Sequence, residues 1–215
     1  MSNGASDAQS AFQNLDFEAA AIPPGTPPSL GISPGIALPG WSISTMYLGY
    51  DAASGGGAAI SVIDRSAGFA PLQGSFSVIL YAGSGTGVGT SSFISQTGLV
   101  PANAQSILMD IAFPFGNTAS TRFTVALGGQ QIAMAPYQIF ANYTVYAGDI
   151  STEAGQPNDA LTIAEYPPAP PTVPPSSVEL DNIVFSPNAV PEPAAWTLFL
   201  YGAVLLGVMR QFHRP

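Results

Sequence analysis

Ser75-Phe76-Ser77-Val78-Ile79-Leu80-Tyr81 decides the class of fold. Polar and apolar residues alternate at its start, the period of two that a strand shows when one face meets a core and the other does not. Tyr143-Thr144-Val145-Tyr146 repeats that alternation. Working outward, similar runs recur between clusters of Gly, Pro, Ser and Asn, and predict strands over Asn14 to Glu18, Trp41 to Met46, Ala59 to Asp64, Phe93 to Gln96, Ser106 to Ala112, Arg122 to Leu127, Gln138 to Tyr146 and Val178 to Phe185, with a shorter one over Leu161 to Ala164. Short strands at this spacing are those of an all-β antiparallel sandwich. Ser106 to Ala112 reads SILMDIA and sets Asp110 among apolar residues, either at a solvent-facing strand position or in a functional cleft. Three stretches read as loops: Ala21 to Pro39 with its six prolines, Gly83 to Gly89, and the polyproline-like run Pro167 to Pro175.

Composition bounds the rest. A chain of 215 residues is about one to one and a half domains at ~150 residues each. Charged residues make up 8%, against roughly 25% in an average protein, while Gly and Pro number 23 and 21, which excludes a long-helix protein. Four arginines, no lysine and 13 acids give a net charge of −9. Nucleic acid is excluded as a partner, because binding it requires cations that replace phosphate counterions. There is no cysteine, hence no disulfide or thiolate site. The only histidine is His213, near the C-terminus, so the rest of the chain can build neither a Ser-His-Asp triad nor a histidine zinc site. Gly83 to Gly89 (GSGTGVG) lacks both the GxGxxG spacing and a GK[ST] ending.

Carboxylate chemistry and calcium stay open. A glycosidase needs two carboxyls about 5 to 9.5 Å apart, and no local spacing singles out a pair. Calcium takes six to eight oxygens, and no EF-hand loop is present. Trp41, Tyr47 and Tyr50 fall close together and are candidates for a glycan platform, although core packing explains Trp41 equally well. Tyr143 and Tyr146 differ in parity and should point to opposite faces of one strand.

The C-terminus carries a different signal. Ala194 to Met209 (AAWTLFLYGAVLLGVM) is free of charge and is bounded by Pro193 and Arg210. As a helix it spans roughly 24 Å of the ~30 Å hydrocarbon core, with Phe212 and a snorkelling Arg210 making up the difference. A buried core helix is the competing reading of this length. Arg210 and Arg214 place the C-terminus in the cytoplasm by the positive-inside tendency. Directly before the span stands Pro191-Glu192-Pro193, extended because neither proline can continue a helix or join a ladder.

This order of elements, from Val190 to Pro215, resembles the PEP-CTERM sorting signal of Gram-negative bacteria, although the basic end is thin. The resemblance implies an exosortase as processing partner, the lipid bilayer as a second, and export. Met1 to Ser10 has neither a basic nor an apolar signal region, while Ala8-Gln9-Ser10 is similar to the small-residue end of one.

A second resemblance lies in Asn14-Leu15-Asp16-Phe17-Glu18, Pro39-Gly40-Trp41, Asp149-Ile150-Ser151, Ala154-Gly155-Gln156, Leu161-Thr162-Ile163 and Leu180-Asp181-Asn182-Ile183. Together they resemble the opening and closing strands of galactose-binding-like and carbohydrate-binding-module jelly rolls. The likeness implies a structural calcium shared by Glu18 and Asp181; the competing reading is that each ends a strand and bonds a loop amide. The expected organisation is a disordered N-terminus over 1–13, a β-sandwich (jelly roll) over 14–187 with a Pro-rich loop at 167–175, and a sorting segment over 188–215 with a transmembrane helix at 194–209. The expected function is that of an exported, inner-membrane-anchored precursor, later at the cell surface or outside the cell, whose non-enzymatic sandwich is a structural or extracellular-polysaccharide-binding module. The alternatives are a carboxylate-dependent polysaccharide-active enzyme and a plain single-pass membrane protein.

Overall fold

Alternating strands need a second layer to bury their apolar faces, and two sheets provide it here. The computed structural model describes residues 10–45, 48–51, 59–66, 70–82, 91–114, 122–157, 159–167 and 176–190. Its strands are β1 (Gly31–Ile32), β2 (Ser42–Ile43), β3 (Leu48–Tyr50), β4 (Ile60–Ile63), β5 (Ser77–Ala82), β6 (Ser92–Gly98), β7 (Ser106–Ala112), β8 (Arg122–Leu127), β9 (Gln130–Ile132), β10 (Ala135–Ile139), β11 (Thr144–Asp149), β12 (Asp159–Tyr166) and β13 (Ser176–Ser186). One turn of helix, α1 (Pro34–Ala37), starts with proline in its first turn, where the missing N–H costs nothing.

Among the described residues, eight strands form one sheet in the order β1-β3-β4-β5-β13-β7-β11-β10 and five form the other in the order β2-β6-β12-β8-β9. The architecture is therefore a nearly all-β sandwich. Among the described strands all pairings are antiparallel except β3 with β4, and the isolated bridge between Ala11 and Leu99 is parallel as well. Val78 and Leu80 of β5, Val178 and Leu180 of β13, and Ile107, Met109 and Ile111 of β7 face Ile94, Val125, Leu161 and Ile163 of the smaller sheet in one core. At ~1.5–3 kcal/mol for each large apolar side chain, this burial is the main stabilising term.

Three expectations need correction. Asn14 to Glu18 is not a strand: Asn14 and Phe17 adopt positive φ (49° and 58°), and the chain turns there. Phe17 is nonetheless fully buried, tilted against Trp41 with ring centroids 5.7 Å apart. Gln138 to Tyr146 is two strands, because the chain reverses at Ala141–Asn142 and the Phe140 amide bonds the Tyr143 carbonyl at 2.9 Å. Residues 10–13, expected to be disordered, are held in place. The Leu99 amide bonds the Ser10 carbonyl at 3.0 Å, and the Gln96 carboxamide bonds both the N–H and the carbonyl of Gln13. No helix among the described residues is long and apolar enough to cross a membrane. The span 194–209 and the Pro-rich run 168–175 lie outside them.

Candidate functional site

The site grows from an irregularity in β13. Asp181 stands opposite Asp110 and Val184 stands opposite Leu108, so β13 carries one residue more than β7 across that interval. This is a β-bulge, and Asn182 absorbs it with φ of 47°. Leu180 and Ile183 on either side face the core, while Asp181 and Asp110 project together from the opposite face of the large sheet. Two carboxylates directly opposed in a sheet repel, and these are 1% and 2% exposed.

What holds them is the segment entering β5. The Gln73 amide donates to Asp181 Oδ2 at 2.8 Å, and the Asn182 amide donates to Asp181 Oδ1 at 2.7 Å. The Gln73 side-chain Nε2 donates to Asp110 Oδ2 at 2.6 Å and to the Tyr143 hydroxyl at 3.1 Å. Glu18 reaches the same segment: its Oε1 accepts the amides of Ser75 and Phe76 at 2.7 and 3.0 Å. Burial pushes Asp181 up to about 7 against the pull of the Gln73 and Asn182 amides, with Asp110 and Glu18 adding to the rise. Burial also raises Asp110, opposed by the side chains of Gln73 and Asn182. Two residues along on the same face, Glu179 is raised to about 7 by burial although it accepts the Ser77 hydroxyl.

Glu18 and Asp181 are thus brought to one loop, but as acceptors of its amides. Glu18 Oε1 and both Asp181 oxygens already accept loop amides, and among the described residues no group of three or more acidic or histidine side chains is placed to hold a metal ion. The pair does not fit a calcium site as built. The expected result is an unfolding midpoint that chelator and added calcium leave unchanged, whereas Asp181→Ala lowers it under both conditions. A rise with calcium, abolished in Glu18→Ala, would restore the metal reading.

Asp110 is neither solvent-facing nor free in a cleft; it is locked behind Gln73. Trp41 is 6% exposed and its indole N–H donates to the Asn14 carbonyl at 3.0 Å, so its ring is core rather than platform. Tyr50 is also buried, with its hydroxyl donated to Asp64 Oδ2 at 2.6 Å. Tyr47 lies outside the described residues, as do Pro191, Glu192, Pro193, Arg210 and Arg214.

Tyr50 belongs to a second acid pair that no sequence spacing announced. The Asp64 amide donates to Asp51 Oδ1 at 3.1 Å, and the Ser66 hydroxyl donates to Asp51 Oδ2. Burial raises Asp51, whereas at Asp64 its upward push is outweighed by hydrogen bonds from Tyr50 and Ser66.

An exposed aromatic surface lies on the β10–β11 hairpin, apart from Phe93 and Tyr166, which are exposed on the smaller sheet. Phe140 and Tyr143 stack with centroids 4.7 Å apart and planes at 28°, and Phe140 is 42% exposed. Tyr137 and Ile139 beside them are exposed too. Tyr146 differs in parity from Tyr143 as expected and packs inward, edge-on to Phe123 and Phe113. Tyr143 was among the aromatic residues the sequence offered, but Phe140 and Gln73 were not.

No family model matches the chain, and no curated protein matches it. Among solved structures, TmCBM61 in complex with beta-1,4-galactotriose is similar at 13% identity and a TM-score of 0.39, over 81% of this chain and 95% of that one. At that score neither fold nor ligand carries over.

Proposed function

We propose that this chain is an exported, C-terminally sorted surface or matrix protein whose sandwich is a non-catalytic glycan-binding module. The observation that carries the binding half is the Phe140–Tyr143 stack, an exposed ring laid on a half-buried one at the tip of a short hairpin. Rings fixed by a two-residue turn lose little entropy when they meet a ligand, and a pyranose ring offers an apolar face to them. The carboxylate-enzyme alternative finds less support, because Asp110 and Asp181 are engaged by Gln73 and Asn182 rather than facing one another across an open cleft. The expected result is that the full chain co-sediments with extracellular polysaccharide from an exosortase-bearing host; a chain left wholly in the supernatant overturns the binding half.

Sorting rests on the order Pro191-Glu192-Pro193, apolar span, Arg210 and Arg214. Exosortase and the lipid bilayer are the partners this implies. Glu192→Ala should leave insertion intact and block maturation, giving a slightly larger, membrane-retained product on immunoblots. Equal release of wild type and variant would reduce the tail to a plain single-pass anchor.

A further inference from the structure

Resting on the glycan-binding reading, we infer that the ligand is a neutral, uncharged pyranose chain, seated on Phe140 and Tyr143 and selected by a donor–acceptor pair formed by the Tyr143 hydroxyl and the Gln73 carboxamide oxygen. The inventory of hydrogen bonds fixes this pair. Gln73 Nε2 has two hydrogens, one given to Asp110 Oδ2 at 2.6 Å and one to the Tyr143 oxygen at 3.1 Å. The orientation of the carboxamide is thereby set, and Gln73 is exposed, so its oxygen is offered outward as an acceptor. The Tyr143 oxygen accepts a hydrogen bond from Gln73, so its own O–H is left as a donor. One donor beside one acceptor matches vicinal sugar hydroxyls, each of which both gives and accepts.

Charge determines which sugars fit. Behind Gln73 stand Asp110 and Asp181, with Glu18 on the same segment. Among the described residues no cation pairs with any of the three, and the chain as a whole carries −9. Above about pH 7, where Asp181 has given up its proton, a uronate or sulfated sugar brought to Tyr143 meets negative charge just behind Gln73, and like charges repel. A neutral sugar meets no such penalty, and Asp110 polarises the Gln73 amide through their shared hydrogen bond.

Affinity electrophoresis of the full chain tests this, with galactan, glucan and mannan as neutral polymers and polygalacturonate as the charged one. The expected result is retardation by at least one neutral polymer and none by polygalacturonate. Phe140→Ala removes one ring, and Tyr143→Phe keeps the stack but removes the donor; each should weaken retention by about tenfold, the cost of one unmade polar or apolar contact. Unchanged circular dichroism establishes that both variants fold. Retardation by polygalacturonate equal to or above that by the neutral polymers overturns the neutral class while leaving glycan binding standing. Neutral retention that survives both substitutions overturns the site but again leaves glycan binding. No retention by any polymer ends the glycan-binding reading, and this inference with it.

Discussion

Gly74→Ala should lower the unfolding midpoint by roughly 5–10 °C, the equivalent of about 2–4 kcal/mol in a domain of this size. Gly74 sits between Gln73 and Ser75, the residues whose amides reach Asp181 and Glu18. Its φ is +53°, and a Cβ there would lie 2.2 Å from Glu18 Oε1 and 2.7 Å from its carboxyl carbon. Alanine in the left-handed region costs about 1–2 kcal/mol. The carboxylate must also move, and in moving it gives up the Ser75 and Phe76 amides, each a charge-assisted bond worth up to ~1.5–3 kcal/mol where water is excluded and less at this exposed position. The two parts separate in a double-mutant cycle. In a Glu18→Ala background only the backbone strain remains, so Gly74→Ala should then cost about 1–2 kcal/mol. An equal cost in both backgrounds would show that Glu18 does not restrain the loop.

The strands that the sequence located best are those with the plainest reason to be strands. Ser106 to Ala112 and Arg122 to Leu127 appear with the expected bounds, because their alternate residues bury against one core. Asn14 to Glu18 shows the limit of the same signal. Leu15 and Phe17 alternate with polar residues, yet Phe17 reaches the core from a turn, and alternation cannot distinguish a strand from a turn that inserts one ring. Gln138 to Tyr146 hides its reversal because Ala141–Asn142 lacks the glycine that usually marks a two-residue hairpin. The candidate site was legible only in fragments. Asp110, Asp181 and Tyr143 stand out as chemical types, but Gln73 is 37 residues from Asp110 and 70 from Tyr143, and it is the pairing of β13 with both β5 and β7 that brings them together. The Asp51–Asp64 pair was invisible for the same reason, since β3 and β4 meet as parallel neighbours across an intervening connection.

Acidification from pH 8 to pH 5, with chelator present, should stabilise the fold, contrary to the usual behaviour of an acidic protein. Glu179 and Asp181 are both raised to about 7, chiefly by burial, whereas in the unfolded chain they titrate near 4. Between those limits the folded state holds protons that the unfolded state has lost, so the contribution of these two groups is greatest below about pH 4 and falls as pH rises through 7. Asp64 and Asp149 are lowered and have the opposite sign, but their contribution is lost only as pH falls below the ordinary carboxylate range, outside this window. A tenfold difference in proton affinity between folded and unfolded chain is worth about 1.4 kcal/mol, so the two buried groups give a gain on the order of a few kcal/mol. Two isosteric variants separate their contributions. Glu179 accepts the Ser77 hydroxyl through one oxygen, a bond that glutamine preserves, so Glu179→Gln should remove part of the pH slope and raise the midpoint at pH 8. Asp181 accepts an amide on each oxygen, and the NH2 of asparagine would oppose one of those N–H groups, so Asp181→Asn should flatten the slope yet lower the midpoint throughout. Thermal unfolding followed by circular dichroism from pH 5 to 8 decides between the two protonation states, and a wild-type midpoint that stays level or climbs with pH would mean that Glu179 and Asp181 are ionised in the fold.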